Sequence, residues 1–418
     1  MTISLVRGTK DILPDEIGLW QHVERVSKAL FEAYHYTEIR TPIFEHSELF
    51  LRAIGENSDI VNKEMYTFED KGGRSITLRP EGTASVARAY CLNRLDRTPH
   101  SKFYYCGPMF RYERPQAGRY RQFHQIGVEQ IGAQTPYHDA EVISLSYRLF
   151  SALGLSDLTV HINSIGDLES RQAIETHIKT FLSTHLDALS PDSQEKAKNN
   201  PLRLLDSKDP KLKTLFETLP DISVARSKSS QRYFESVLSI LDTLGIPYHI
   251  SPRLVRGLDY YSETVFEIIS DKLGAQNTVC GGGRYNSLLN EIGRLDLPAI
   301  GFAFGMERLL LLLKDMPLER HKKPTFYIAP VSQEYLTQAL KLTDQLRQKE
   351  LRCMFDYTAR EMSAHLKRAS KRGADYCLIF SNANTVIVKN LHKRTQELIQ
   401  LDALSCYCEQ IQKDVPHV

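Results

Sequence analysis

The sequence predicts an α/β (α+β) protein with an antiparallel sheet flanked by helices, a helical insertion and a C-terminal α/β domain. Three observations favour this fold: a two-stranded pattern at 105–132, helical patterns rich in Asp, Ser, Lys and Leu from 165 to about 250, and alternating strand and helix patterns from 325 to about 405. The 418 residues suggest roughly two to four domains. We find no internal repeats.

Composition restricts the class of protein without deciding it. A hydrophobic content of 42% is enough for large cores, and a net charge of +2 with a pI near 8.1 leaves the partner open. Nucleic-acid binding would therefore have to come from local basic patches. The N-terminal segment carries charge where a signal peptide would be apolar, and no apolar run approaches the roughly 20 residues that span a bilayer.

The cysteines predict a reduced, cytoplasmic protein without a structural metal. The chain has seven, an odd number, with no CxxC pair and no His/Cys cluster at zinc spacing. Their positions are scattered: Cys91, Cys106, Cys280, Cys353, Cys377, Cys406 and Cys408.

The first zone mixes helix and strand. Apolar residues at helical spacing predict a helix from Glu16 to Tyr34. The segment at 38–45, EIRTPIFE, predicts a strand interrupted by Pro42. Because proline places a strand at an edge or a bulge, this segment suits a subunit interface and a plain surface edge equally well.

One face of the predicted hairpin at 105–132 collects polar side chains. Because strand side chains alternate, Arg111 and Glu113 point to one side, and Gln125, Gly127 and Glu129 form the matching row. The opposite face is expected to be buried and carries Phe110, Tyr112, Ile126 and Val128. The polar row fits either a solvated edge or a floor for a ligand with anionic and cationic groups.

The loop of this hairpin favours the second interpretation. Arg114, Arg119 and Arg121 lie among proline, glutamine and glycine, so a cationic loop could close over phosphates. At this point FRYERPQAGRYRQFHQIGVEQIG resembles motif 2 of the class II aminoacyl-tRNA synthetases, in the form typical of the histidyl-tRNA synthetase family. Five further segments resemble that family in its order: RGTKDILP at 7–14, TLRPEGTASVAR at 77–88, LVRGLDYYSETVFEI at 254–268, GGGRYNSLL at 281–289 and AIGFAFGMERLLLL at 299–312.

The resemblance implies a class II synthetase-like catalytic sheet in a discontinuous core. We expect its first part at 1–163, a helical insertion at 164–250, its second part at 251–322 and an anticodon-binding-like α/β domain at 323–418. The strand at 38–45 then resembles motif 1, which forms the homodimer in this family. The insertion would contact the tRNA acceptor end, although a packing or solubilising role explains its composition almost equally well.

The resemblance also implies an amino-acid pocket. Recognition of a neutral imidazole takes one acceptor and one donor, and the family's pattern gives those roles to Glu129 and Tyr261. The α-ammonium group would be held by Glu81, Thr83 and Gln125, and Tyr260 would line the pocket. A site that pairs both ring nitrogens rejects apolar analogues, which explains specificity without an editing domain.

The ATP side is expected to depend on arginines. No GxxxxGK[ST] loop is present. The glycines of GGGRYNSLL permit close approach of the backbone or unusual φ angles and, taken alone, predict a turn. The resemblance implies that Arg111 and Arg256 act at the α-phosphate and that Arg119 binds ATP. Arg308, which follows a bare strand face at Gly301 and Ala303, would cover the adenine or reach the γ-phosphate. We expect Glu113 to orient Arg111, or to bind metal or the adenine amino group.

These expectations define the ligands and partners. They are L-histidine, ATP with Mg²⁺ bound through its phosphates, tRNA(His) and a second copy of the chain, with no DNA, no membrane and no metal held by the protein itself. In the last zone, Lys367, Arg368, Lys371 and Arg372 form one basic helix face. Such a face is usually just solvated, but here it could neutralise tRNA phosphates.

Three other functions fit parts of the sequence. A catalytically silent synthetase relative would sense histidine as the regulatory subunit of a histidine-biosynthetic enzyme. Such a relative usually lacks the anticodon-type domain and differs from this chain in the motifs that here contain Arg111, Arg256 and Arg308. A general RNA-binding protein would leave the carboxylates and amide of the pocket unexplained. Another class II synthetase would not be expected to carry RGLDYY.

Overall fold

The computed structural model describes residues 3–55, 58–98, 100–132, 134–185, 189–207, 209–270, 277–314 and 323–414. The chain forms two compact units, Met1–Met316 and Pro317–Val418. The first unit contains ten described α-helices: α1 Pro14–Ala33, α2 Ser47–Ile54, α3 Thr83–Leu92, α4 Pro136–Ala152, α5 Leu168–Ser183, α6 Pro191–Asn199, α7 Pro210–Glu217, α8 Lys228–Thr243, α9 Leu288–Gly293 and α10 Met306–Leu313. Its described strands are β1 Thr37–Glu38, β2 Phe44–His46, β3 Tyr66–Glu69, β4 Ser75–Leu78, β5 Lys102–Phe110, β6 Gln122–Ile131, β7 Thr159–Ser164, β8 Tyr248–Ile250, β9 Ser262–Ile269, β10 Thr278–Arg284 and β11 Ala299–Gly305.

Eight of these strands form the main sheet, in the order β1-β5-β6-β11-β10-β9-β7-β8. The six inner strands, β5, β6, β11, β10, β9 and β7 in spatial order, pair antiparallel with one another. The short edge strands β1 and β8 pair in parallel with β5 and β7. The remaining strands form a small antiparallel sheet, β2-β4-β3. The predicted antiparallel sheet flanked by helices is therefore present.

The two faces of the main sheet are covered by different helices. One face carries Ile126, Val128, Phe302 and Phe304 and packs against apolar residues of α1, α4, α8 and α10. The other face packs against α2, α3, α9 and the insertion helices α5, α6 and α7. The predicted helix at 16–34 is confirmed as α1, which begins at Pro14, where a fixed φ suits the first turn.

The predicted hairpin forms, but its first strand is shorter than the alternation suggested. Strand β5 ends at Phe110, so Arg111 and Glu113 lie just beyond it. The expected burial of Tyr112 is wrong: this side chain is 53% exposed and stacks on Arg121, whose guanidinium carbon lies 3.7 Å from the ring centroid. The predicted strand at 38–45 is also split, because β1 and β2 on either side of Pro42 join different sheets.

The segment from 165 to 250 is helical, as its pattern predicts, except that its last residues form the edge strand β8. Its polar composition has a direct structural reason, because α5, α6, α7 and α8 each begin after an Asp or Ser whose side chain accepts a backbone N–H of the first turn. The four capping residues are Asp167, Ser190, Asp209 and Ser227. The domain boundaries predicted at 163, 250 and 322 stay predictions.

The second unit has the predicted partly parallel sheet. Its strands are β12 Thr325–Pro330, β13 Arg352–Phe355, β14 Tyr376–Phe380, β15 Thr385–Asn390 and β16 Gln396–Gln400, and its helices are α11 Leu336–Gln348, α12 Met362–Lys371 and α13 Leu404–Lys413. The strand order is β13-β12-β14-β15-β16, with the first three strands parallel and the rest antiparallel. The sequence pattern had not indicated β16 or α13. Within the described ranges, the helices of both units fall short of the length and apolarity needed to cross a membrane.

Candidate active site

The candidate site lies on the face of the main sheet that carries the predicted polar row. The strand register places Tyr105, Gly127, Ala303 and Gly281 side by side across four strands. The next row on the same face contains Glu129, Gly301 and Gly283. Small residues on β10 and β11 thus leave a bare floor between side chains that rise from β5 and β6.

Three glycines are required by the side chains above this floor. A Cβ on Gly127 would lie 2.5 Å from the Tyr105 hydroxyl oxygen, and one on Gly301 would lie 2.0 Å from Oε2 of Glu129. A Cβ on Gly281 would overlap the guanidinium group of Arg256. The three glycines of GGGRYNSLL do not form the predicted turn: all of them lie within β10, where Gly281 makes room for Arg256 and Gly283 for Tyr261.

Glu129 is at the centre of the pocket and is almost completely buried. Its Oε1 accepts a 2.6 Å hydrogen bond from the Thr83 hydroxyl, and its Oε2 accepts one from the Tyr285 hydroxyl. Burial raises the pKa of Glu129 to about 8, an effect that the hydrogen bonds from Thr83 and Tyr285 oppose and the nearby charge of Glu81 reinforces. A carboxyl group held in this way changes charge near neutral pH.

Glu81 lies at the N-terminus of α3. Its two oxygens accept backbone N–H bonds from Thr83 and Ala84, both of 2.8 Å. Burial raises the pKa of Glu81, and these hydrogen bonds act in the opposite direction. Each carboxylate oxygen has a second lone pair, so the group can still accept a hydrogen bond from an ammonium ion.

Tyrosine side chains enclose the pocket. The rings of Tyr260 and Tyr261 lie 4.7 Å apart, and Tyr285 packs 5.6 Å from Tyr260. Burial raises the pKa of Tyr261 to about 12, and the positive charge of Arg256 works against this shift. The hydroxyl oxygen of Tyr105 and Oε1 of Gln125 are buried and have no hydrogen-bond partner among the described residues. The pocket therefore contains buried polar groups that a polar ligand could satisfy.

Three arginines converge on Glu113 beside this pocket. Glu113 lies 3.2 Å from Arg119 and 3.9 Å from Arg111, and its charge also acts on Arg308, whose pKa is lowered by burial and by Arg119. Arg111 Nε donates a 2.8 Å hydrogen bond to the carbonyl of Pro80, the residue before Glu81. The cationic cluster and the carboxylate pocket are thus adjacent.

Arg256 approaches the floor from the other side. Its guanidinium group lies over Gly281 and pairs with Glu267 on β9, which also accepts a 2.8 Å hydrogen bond from Thr278. The Nε atom of Arg256 is buried and has no partner among the described residues. An anionic group on the floor would therefore meet an arginine that is held in place.

Comparisons with known proteins agree with this geometry. A family model described as histidyl-tRNA synthetase matches residues 8–309, and an anticodon binding domain model matches residues 325–411. Two relatives, the histidine–tRNA ligases of Acaryochloris marina and Dictyoglomus turgidum, are each 46% identical to the chain, covering 98% and 97% of it and 96% and 99% of themselves. The chain belongs to the histidyl-tRNA synthetase family.

A solved structure supports the fold of this family member. The apo histidyl-tRNA synthetase of S. aureus is 38% identical, with a TM-score of 0.84, and the match covers 98% of this chain and 100% of that one. The class II synthetase-like fold expected from the sequence is therefore confirmed.

The structure brings the predicted residues of this family member into neighbouring groups. The pocket contains Glu81, Thr83, Glu129, Tyr260 and Tyr261, with Gln125 in the same polar row. The cationic cluster contains Arg111, Glu113, Arg119 and Arg308. Among the residues with described positions, no three His, Cys, Asp or Glu side chains are placed to hold a metal ion.

Sequence reasoning missed two members of the pocket, Tyr285 and Tyr105. Tyr285 is 156 positions from its hydrogen-bond partner Glu129 in the sequence. The two residues come together because β10, which ends just before Tyr285, and β6 both pair with β11. For Tyr105 the sequence pattern indicates only the start of a strand. Its position opposite Gly127, a glycine in the middle of a strand, was the available signal, because such a glycine often marks the close approach of another group.

Proposed function

We propose that this chain activates L-histidine with ATP and transfers histidine to the 3′ end of tRNA(His). The observation that carries the proposal is the buried Glu129, bonded to Thr83 and Tyr285 above a glycine floor, next to arginines gathered around Glu113. One group suits an amino acid with a polar ring, and the other suits a triphosphate. Family membership and the names of the relatives support the same reaction.

In this proposal the imidazole ring of histidine lies between Glu129 and Tyr261, which supply the acceptor and the donor. Tyr260 lines the ring. The α-ammonium group is held by Glu81, Thr83 and Gln125, and the unpartnered Oε1 of Gln125 gives a specific reason for including that residue. An apolar analogue would leave these buried groups unpaired, which opposes its binding.

The ATP end of the site is assigned to the arginines. Arg111 and Arg256 lie closest to the α-phosphate, and Arg119 and Arg308 bind the rest of the nucleotide. Glu113 orients Arg111 and Arg119. Arginine suits this work because its charge is permanent and its donors have fixed geometry. Mg²⁺ enters with ATP, bound to its phosphate oxygens.

The first step forms an anhydride. The carboxylate of histidine attacks the α-phosphorus, the bond to the bridging oxygen of pyrophosphate breaks, and histidyl-adenylate and pyrophosphate result. Positioned guanidinium groups stabilise the charge on the transferring group, so no side-chain nucleophile is required. A terminal ribose hydroxyl of tRNA(His) then attacks the adenylate carbonyl and releases AMP.

We also propose a homodimer in the cytoplasm. Motif 1 is the family's dimer segment, and in this chain it ends in exposed apolar residues, with Ile43 42% and Phe44 60% exposed. Phe68 of the same small sheet is 49% exposed. Large apolar side chains gathered at a surface are typical of a protein interface. The seven free cysteines support the cytoplasmic location.

The silent regulatory relative is less favoured. The chain matches the anticodon binding domain model, which has no evident use in a protein that only senses histidine. It also carries Arg111, Arg256 and Arg308 in the site described above. The relatives from Acaryochloris marina and Dictyoglomus turgidum are described as ligases.

Exchange of labelled pyrophosphate into ATP tests the proposal directly. We expect exchange that requires histidine and that phenylalanine and glutamine do not support. Binding of histidine is measured in parallel by calorimetry. Folded protein that binds histidine without catalysing exchange would refute the synthetase proposal and favour the regulatory function.

A further inference from the structure

The loop that carries Arg256, Tyr260 and Tyr261 joins β8 to β9 and has no helix or strand of its own. Residues 252–261 must therefore be held by other parts of the chain if these side chains are to keep fixed positions. The contacts of this loop show what holds it.

At its start, the loop is held by the end of β7. The Asn163 side chain is buried, and its Nδ2 donates hydrogen bonds to the carbonyls of Pro252 and Leu254, both of 3.0 Å. Oδ1 of Asn163 in turn accepts a 3.0 Å hydrogen bond from Arg226, a residue of the helical insertion. The amide of Asn163 thus bonds to both the insertion and the loop.

At its centre, the loop is held by the insertion directly. Oδ1 of Asp259 accepts hydrogen bonds from Nε and Nη2 of Arg203, at 3.1 and 2.9 Å, and from Nδ2 of Asn200 at 2.8 Å. The carboxylate also lies against Gly55, where a Cβ would be only 2.2 Å from Oδ2. Asp259 is therefore packed on one side and bonded on the other.

At its end, the backbone of the loop is held by α5. Nη1 of Arg171 donates to the carbonyls of Asp259, at 2.8 Å, and Tyr261, at 3.3 Å. A cavity of about 20 Å³ lies at this junction, lined by Arg171 and Arg203 from the insertion and by Arg256, Asp259 and Tyr261 from the loop. Side chains of the insertion therefore lie immediately behind two of the proposed site residues.

These bonds are strong enough to matter for geometry. The side chains of Arg203 and Asp259 are 13% and 26% exposed, so solvent screens the pair only partly. Hydrogen bonds between charged groups are shorter and stronger than neutral ones, and a reacting group displaced by about 1 Å can cost 100-fold in rate. The contacts are made by three separate parts of the insertion, namely α5, the 200–203 segment and Arg226.

We propose that Arg203 and Arg171 are positioning residues for histidine activation, acting through Asp259 and the 252–261 loop on Arg256 and Tyr261. The helical insertion is then a support of the amino-acid site as well as whatever surface it offers to tRNA. A purely packing or solubilising insertion would need none of these polar contacts. The inference rests on the proposed function, because it concerns the positions of residues that act in it.

Arg203→Ala tests the inference in the full-length protein. We expect the histidine KM in pyrophosphate exchange to rise and kcat to fall, together lowering kcat/KM for histidine by about tenfold or more, as expected for loss of a hydrogen bond between charged groups. The KM for ATP should stay within about twofold, since the residues assigned to the nucleotide apart from Arg256 lie on other elements. Arg203→Lys should restore part of the histidine kcat/KM.

Two further variants complete the design. Arg232→Ala removes an exposed arginine of the same insertion whose described hydrogen bond goes to a carbonyl of its own helix, and this variant should match the parent. Asp259→Ala, which also removes the bond from Asn200, should lower the histidine kcat/KM at least as much as Arg203→Ala. The double variant should be no worse than Asp259→Ala alone, because Arg203 acts through this carboxylate.

The outcomes separate three cases. An inactive parent protein would count against the proposed function itself. An active parent with Arg203→Ala unchanged in the histidine KM and kcat would overturn the positioning role. A third result would be a lower kcat for Arg203→Ala with unchanged KM values for histidine and ATP and a lowered melting temperature. This result would indicate loss of folded enzyme, hence a purely structural role, and would also overturn the positioning role.

Discussion

At the scale of single residues, Glu129 combines a structural cost with a chemical use. The residue is 1% exposed, and the two hydrogen bonds of its carboxyl group only partly offset the loss of hydration. With a pKa raised to about 8, the group is largely protonated at neutral pH in the free protein. A protein without need of a buried acceptor would gain stability from an amide or apolar residue at this position.

The raised pKa of Glu129 gives a pH-dependent stability with a defined sign. The folded state binds this proton up to about pH 8, whereas the unfolded chain releases it near 4.5, so stability is lost as the pH rises through that window. The slope is at most about 1.4 kcal/mol per pH unit for one proton. We expect Glu129→Gln to abolish it, so the variant's melting temperature should improve relative to the parent between pH 6 and pH 8.

Glu24→Gln is the matched control, because this exposed carboxylate lies on α1 outside the site. Its melting temperature should follow that of the parent across the same range. If Glu129→Gln followed the parent as well, the assignment of a buried, protonated carboxyl group at this position would be wrong.

At the scale of elements, β10 shows why a glycine run can belong to a strand. Gly281 and Gly283 face the site, and Gly282 faces the core, because strand side chains alternate. A Cβ at Gly281 would meet the guanidinium end of the Arg256 side chain, whereas one at Gly282 would lie 2.4 Å from the carbonyl oxygen of Gly301 and 2.7 Å from Phe266. Neighbouring glycines of one strand thus serve different purposes.

This alternation predicts opposite results for two adjacent alanine substitutions. Gly281→Ala should displace Arg256 and lower the kcat of histidine-dependent exchange by up to about 100-fold while changing stability little. Gly282→Ala should instead overpack the core and lower the free energy of unfolding by about 1–3 kcal/mol. Exchange kinetics and urea unfolding of both variants provide the measurement. A shared loss of stability, with no loss of activity specific to Gly281→Ala, would contradict the assigned faces.

Local pattern was enough to predict most elements but not their pairing. The helix α1, the hairpin β5–β6, the helical insertion and the alternating elements of the second unit follow from periodicity and turn residues. The turn predicted at the glycine run is wrong because the three glycines pair with β9 on one side and β11 on the other, and these strands come from other parts of the chain. Tyr112 was misplaced because the strand alternation ends at Phe110, and a boundary of this kind depends on tertiary contacts.

The same limit applies to the candidate site. Arg111, Arg256, Arg308 and Glu129 could be proposed from motifs, yet Tyr285 and the supports at Arg171 and Arg203 could not. Those residues act through contacts with sequence separations of 56 to 156 positions. No local rule assigns such a partner.

At the scale of the whole molecule, the two units divide the proposed work. The residues assigned to histidine and ATP lie within Met1–Met316, and the anticodon binding domain model matches only the second unit. In that unit the basic face of α12 is not uniform. Arg368 lies 3.2 Å from the buried carboxylate of Asp356, which also accepts a 2.6 Å hydrogen bond from Tyr327. Lys367, Lys371 and Arg372 are exposed.

This division predicts that tRNA binding and histidine activation respond separately to changes in α12. Replacing Lys367, Lys371 and Arg372 together with alanine should raise the KM for tRNA(His) in aminoacylation and reduce its dependence on salt, by about one unit of slope for each phosphate that the helix no longer neutralises. Histidine-dependent pyrophosphate exchange should be unchanged, because it requires no tRNA.

As a control, alanine at Lys341, Lys393 and Lys413 removes the same charge from exposed positions of the same unit. If both triple variants raised the KM equally, tRNA binding would reflect the net charge of the unit, whereas an effect confined to the α12 variant would assign phosphate contacts to that helix.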